Sequence, residues 1–161
     1  MNDPTRDPCH VPAAEWSEFA RAELSRAGYR ESRPRGAVVE LLAAQECVRT
    51  AAEIADELEA RGTGVGTATV YRALEALDEL KLLQRLDIGG GSTRYEPAFP
   101  DREHHHHHLV CEGCGVVTPF EDAGLERAIE SLAQRLRHGV REHEVILRGR
   151  CPACAELTAN N

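Results

Sequence analysis

The sequence predicts an α+β protein in two parts: four helices closed by a β-hairpin, then a small α/β domain held by four cysteines. Three observations carry this. Apolar residues recur at helical spacing from Phe19 to Leu77. The glycines at 89–91 join two short segments of strand character. Four of six cysteines pair as Cys111-x2-Cys114 and Cys151-x2-Cys154.

Each element has its own signal. Phe19, Ala20, Ala22, Leu24 and Ala27 mark a first helix over 15–27, which Gly28 stops. Pro34 opens a second helix carrying Val38, Val39, Leu41 and Leu42, because proline suits a first turn. Thr50 with Glu53 forms a capping box for a third helix, which contains Ile54 and Leu58 and ends at Gly62. Thr67 can cap a fourth helix running to about Leu80. On that helix Val70, Ala73, Leu74 and Leu77 share one arc, while Ala68, Tyr71, Arg72, Glu75 and Glu79 lie opposite. Segments 82–88 and 92–96 then read as the hairpin, and helices followed by a hairpin make a winged helix. The second domain reads as strand 104–111, knuckle, strand 116–120, helix 122–137, strand 144–150 and a second knuckle. The expected division is a disordered tail at 1–12, a winged helix at 13–97, a hinge at 98–103, the second domain at 104–155 and a tail at 156–161.

The 42% hydrophobic and 29% charged composition is that of a globular chain, and no apolar run is long enough for a membrane span. Residues 1–12 are polar, with prolines at 4, 8 and 12 and no apolar signal-peptide core, so a cytoplasmic location is expected. Cysteines in such a chain suggest metal rather than disulfides. The net charge of −8 argues mildly against nucleic acid. Local distribution matters more: Arg21, Arg26, Arg30, Arg33 and Arg35 face only Glu23 and Glu31 in the same stretch. A tyrosine and an arginine on the solvent side of the fourth helix's first turns suit an element whose N-terminal end enters a DNA groove.

The cysteine spacing is the strongest chemical signal. Four thiolates from two tight turns satisfy tetrahedral zinc and leave no open position, so Cys111, Cys114, Cys151 and Cys154 are read as a structural site. Gly113 and Gly115 permit the first knuckle. Residues 104–108 are all histidine, and on a strand they alternate, His104, His106 and His108 to one side and His105 and His107 to the other. His105 and His107, with Glu126 and His143, supply a plausible four-coordinate set. His106 and His108 need further partners; Glu96 is the best candidate, with Asp87, Asp101, Glu103 and His104 near in sequence. A site drawing on both domains would meet the requirement of a metal switch, differential contacts in two conformations.

Taken together, these residues resemble the ferric uptake regulator (Fur) family from about Glu15 to Cys154. The resemblance is carried by Ala27-Gly28-Tyr29-Arg30 with Arg33-Pro34-Arg35, by Thr69-Val70-Tyr71-Arg72, by His104–His108 with the following Leu-Val-Cys-Glu-Gly-Cys-Gly, and by His143 with Cys151 and Cys154. It implies a homodimeric, metal-activated repressor, not an enzyme, binding AT-rich, near-palindromic operators. Tyr71 matches a recognition-helix tyrosine on thymine methyls, with Thr69 and Arg72 in the same DNA-contacting segment. Arg30 matches a minor-groove lysine, and Arg35 a phosphate contact. The four cysteines match a structural zinc site. His105, His107, Glu126 and His143 match the dimerisation-domain metal site, and Glu96, His106 and His108 match an interdomain regulatory one.

Three departures bear on the sensed metal. Val48 stands where iron sensors often carry histidine, Pro119 where they often carry a carboxylate, and 97–100 lacks the cysteine that zinc sensors often place there. The all-histidine run is closest in character to the zinc uptake regulator branch, so zinc is favoured over iron or manganese at the regulatory site. The alternative within the family is an iron-, manganese- or peroxide-responsive repressor. Remoter classes are a zinc metalloenzyme, which lacks an evident general-base motif, and a zinc buffer protein, for which the recognition-helix residues would have no use.

Overall fold

The structure, a computed structural model, describes residues 12–45, 47–87, 91–99 and 106–159. These divide into two compact units, 12–99 and 106–159. All but the last residue of the expected tail at 1–12, the glycine turn at 89–90 and most of the hinge at 98–103 lie outside the described residues.

In the first unit the helices are α1 (Ala13–Arg26), α2 (Arg33–Ala43), α3 (Ala51–Ala60) and α4 (Thr67–Glu79). A three-stranded antiparallel sheet runs β1 (Arg49–Thr50), β3 (Thr93–Pro97), β2 (Leu83–Asp87) across its width. This is a winged helix. Ser32 caps α2 by accepting from the Arg35 amide, and Pro34 falls in the first turn, where its missing N–H costs nothing. The capping box at Thr50 and Glu53 is fully formed. Thr67 does not cap α4. Gly66 is the N-cap and its carbonyl takes the Thr69 and Val70 amides, so Thr67 is already helical. β1 was not anticipated; two residues have no periodicity of their own, and they are a strand only because Arg49 and Thr50 pair with Tyr95 and Arg94.

One core holds this unit together. Val70, Ala73, Leu74 and Leu77 of α4 are buried, as their spacing predicts, and Ala76 joins them. Of the apolar positions expected to pack from α1, Ala20 and Leu24 are buried but Ala22 and Ala27 are exposed. The largest buried residue of α1 is Trp16, fully enclosed, whose indole N–H donates to the carbonyls of Leu82 (3.2 Å) and Ala98 (3.0 Å). Ala98 N–H in turn donates to Leu82 O, so α1 is tied to both ends of the hairpin.

The second unit has a sheet in the order β5 (Val117–Phe120), β4 (His107–Cys111), β6 (Ile146–Gly149), antiparallel to one side of β4 and parallel to the other. Between β5 and β6 lies α5 (Ala123–Leu136), capped by Asp122 on the Leu125 amide. An unanticipated short helix, α6 (Pro152–Ala159), follows the second knuckle. α5 buries none of its residues, although Leu125, Ile129, Leu132 and Leu136 form one apolar stripe. Leu132, Leu136, Val140, Leu109 and Leu147 are all exposed, an unusual apolar surface for so small a unit. No helix among the described residues is long and apolar enough to cross a membrane.

Replacing Trp16 with Phe removes the indole N–H shared by the Leu82 and Ala98 carbonyls and leaves a void in the core, and should cost about 1–3 kcal/mol. Urea unfolding followed by far-UV circular dichroism checks this; an unchanged midpoint would refute it.

Candidate metal centres and DNA interface

The four cysteines converge. Cys111 ends β4, Cys114 follows on a tight turn, and Cys151 and Cys154 flank the start of α6, with all four sulfurs within 4.8 Å of one another. The 3.8 Å between Cys114 Sγ and Cys151 Sγ is far beyond a disulfide bond. The Cys151 amide donates to Cys111 Sγ at 3.3 Å. Backbone N–H groups, that of Cys151 foremost, pull the Cys111 thiol down to about 6. Hydrogen bonds with Cys151, Cys114 and Cys111 push the Cys154 thiol up to about 12. Sulfurs so close resist sharing negative charge, and a divalent cation among them relieves that conflict. The convergence of four thiolate donors fits zinc.

The two knuckle glycines serve different ends. Gly115 has φ +74°, a backbone most side chains avoid, whereas Gly113 is needed for space. A Cβ there would come 2.9 Å from both Cβ and Sγ of Cys154.

A second cluster sits on one face of β4. His107, fully buried, meets Glu126 through Nε2 and Oε1 at 2.7 Å, and His143 Nε2 lies 3.1 Å from the other oxygen of Glu126. The rings of His107 and His143 are 5.4 Å apart, and Phe120 packs 5.4 Å from His107. Glu126 reaches inward from the first turn of α5, the helix end at which a carboxylate is favoured. Three of the four ligands expected here are thus together; the fourth, His105, lies outside the described residues.

His106 and His108 lie toward the opposite face, their rings edge to face at 4.8 Å. Pro119 is the cross-strand partner of His108, so that neighbouring position offers no ligand atom. Glu96, the carboxylate expected to join them, belongs to the first unit, where it is buried in β3 opposite Gln84. Val48 is a buried apolar residue of that unit.

The DNA candidates fall into two groups. On α4, Tyr71 is 48% exposed, Arg72 is exposed and Thr69 half-buried. Between α1 and α2, Arg30 is exposed and Arg35 half-buried. The five-arginine patch is weaker than its count suggests. Arg21 pairs with Glu40 (2.8 Å) and Glu31 (3.5 Å), and Arg26 pairs with Glu23. Sequence reasoning missed the hydrogen bond that joins Tyr29 to Glu79 across fifty positions, which no local pattern signals.

Gly113→Ala should force the knuckle apart at a cost of about 1–3 kcal/mol. Zinc content after dialysis against a chelator should fall below that of the parent; equal retention would overturn this account of Gly113.

Comparison with known proteins agrees with the geometry. A sequence profile of the Ferric uptake regulator family matches residues 26–148. The ferric uptake regulation protein of Bacillus subtilis is 33% identical over 135 residues, spanning 83% of this chain and 91% of that one. That of Klebsiella pneumoniae is 34% identical over 131 residues, spanning 80% and 81%. The crystal structure of the Vibrio cholerae ferric uptake regulator superposes with a TM-score of 0.72 at 33% identity, over 83% of this chain and 99% of that one. By profile, sequence and fold alike, this chain belongs to the ferric uptake regulator family.

Proposed function

We propose that this protein is a metal-responsive DNA-binding repressor, working as a homodimer in the cytoplasm on AT-rich, near-palindromic operators, with zinc as its signal. The observation that carries the reading is the split of one histidine strand between two faces, beside a cysteine site that needs no histidine. Cys111, Cys114, Cys151 and Cys154 hold a structural zinc. His107, Glu126 and His143, joined by His105, hold a second ion in the same unit. His106 and His108, with Glu96 from the other unit, form the regulatory set. A ligand set drawn from both units makes metal occupancy a constraint on their arrangement, which is the differential contact a switch requires. A zinc ion held there would supply positive charge; the protein's contribution is the imidazole-rich donor set that suits it.

On DNA, Tyr71 and Arg72 with Thr69 read the major groove from α4, Arg30 enters the minor groove and Arg35 lies close to the backbone. The exposed apolar stripe of α5 and Leu109 and Leu147 of the sheet are covered by a second copy, whose two-fold symmetry would match a near-palindrome. The relatives at 33–34% identity carry the name ferric uptake regulation protein, which favours iron as the second reading. Against it stand Val48 and Pro119, neither of which can bind a metal. A solved zinc uptake regulator in complex with zinc and DNA shares the fold at TM-score 0.57.

The decisive measurement titrates metal-stripped protein with zinc, iron, manganese and nickel while following binding to a duplex selected from a random pool. Zinc should give the tightest binding; iron acting alone would replace zinc as the signal. The double variant His106→Ala with His108→Ala should keep its fold and its cysteine-bound zinc yet lose metal-dependent DNA binding. Parental affinity in that variant would sink the regulatory assignment. Tyr71→Ala should weaken specific binding by about 1–3 kcal/mol in a gel shift, and unchanged sequence preference would remove Tyr71 from the interface.

A further inference from the structure

The turn between α1 and α2 is built more tightly than an exposed loop requires. α1 ends in a Schellman motif: Tyr29 N–H donates to Leu24 O, Gly28 N–H donates to Ser25 O, and Gly28 has φ +86°. Tyr29 therefore leaves the helix at a fixed angle with its ring against the core. Its hydroxyl donates to Glu79 Oε2 at 2.7 Å, at the last residue of α4. The Arg35 guanidinium lies 5.1 Å over the Tyr29 ring, and Arg35 Nη1 donates to the carbonyl of Arg30 at 2.7 Å. The side chain of Arg30 itself stays exposed, with no ion pair among the described residues.

We propose that Glu79, Tyr29 and Arg35 are positioning residues that fix the backbone of Arg30 relative to α4, and so set the distance between Arg30 and the DNA-reading residues of α4. The inference rests on the DNA-binding reading above. α4 rises roughly 12 Å between Tyr71 and Glu79, so its far end serves as a rigid rod. One end of that rod presents Tyr71, and the other anchors the turn that presents Arg30. A long arginine on a free loop would lose both backbone and side-chain freedom on binding, whereas a held backbone leaves only the side chain to order. Arg35, matched by the family resemblance to a phosphate contact, acts first within the protein, through its ring contact and its hydrogen bond to Arg30. The hydrogen bond to Glu79, more than burial, holds the Tyr29 phenol above its usual value, which agrees with a well-formed contact. Glu79 and Tyr29 touch no DNA in this account; they act through Arg30.

The test is a double-variant cycle on a duplex selected from a randomised pool by the zinc-loaded parent. Tyr29→Phe keeps the ring under Arg35 and removes only the hydroxyl, and should weaken binding roughly three- to tenfold, the worth of one hydrogen bond. Glu79→Gln keeps an acceptor and should bind as the parent does. Arg30→Ala should lower the salt-dependence slope by about 1. In that background Tyr29→Phe should add no further loss, since the residue it positions is gone. An equal loss with and without Arg30, or parental binding by Tyr29→Phe alone, overturns the proposal and leaves Tyr29 a packing residue. If the parent selects no sequence at all, the DNA-binding reading fails and this inference falls with it. Far-UV circular dichroism of each variant establishes that the fold is intact.

Discussion

Everything in the second unit depends on the register of β4. A strand must send successive side chains to opposite faces, so a run of histidines on it is divided the moment its register is set. The register is pinned on both edges. β5 pairs His107 with Phe120 and β6 pairs Cys111 with Gly149. A slip by one residue would turn His107 away from Glu126 and send His108 toward it. The cysteine cluster opposes such a slip, because Cys111 ends β4 and Cys151 stands two residues beyond β6. Closing those sulfurs on one point fixes the two strands end to end. Convergence of the knuckle sulfurs thereby helps to hold His107, rather than His108, on the face of Glu126.

In the first unit, charge and geometry point in different directions, and geometry prevails. A net charge of −8 would repel DNA at long range. Near the surface, what counts is which cations are available. The ion pairs of Arg21 and Arg26 withdraw two of five arginines from the patch. These exposed pairs add little stability, but they narrow the basic surface to the turn around Arg30 and Arg33. A small cationic spot at that turn, with an exposed Tyr71 farther along α4, favours orientation over indiscriminate binding.

What the sequence disclosed follows from how local each cause is. The capping box at Thr50, the stop at Gly28, the buried arc of α4 and the cysteine pairs are short-range patterns, and each is present as its pattern predicts. The clustering of His107, Glu126 and His143 is long-range; alternation set the face of His107, but Glu126 and His143 were expected there on the strength of the family resemblance. What stayed illegible arises from contacts between distant segments. β1 exists through pairing alone, and Trp16 is central because its N–H meets two carbonyls more than sixty positions away. Thr67 failed as a cap because a glycine carbonyl one position earlier already begins the helix. Gly113 carries no backbone signal; its reason lies in Cys154, forty-one residues on.

Coordination chemistry also divides the labour among the sites. A cluster of four protein thiolates is saturated, so it can respond to metal only by gaining or losing fold. Such a site is poorly suited to report small changes in metal supply. A reporting site needs an ion whose full ligand set exists in one arrangement of the protein and is broken in another. The His107, Glu126 and His143 cluster lies wholly within one compact unit and gains nothing from moving the other. Among the described residues of their own strand His106 and His108 supply two donors, and the neighbour of His108 across the ladder is a proline. Two imidazoles bind a divalent ion weakly, and a third and fourth donor raise the affinity steeply. In the regulatory reading proposed above, donors from elsewhere in the protein would then govern whether the ion is held.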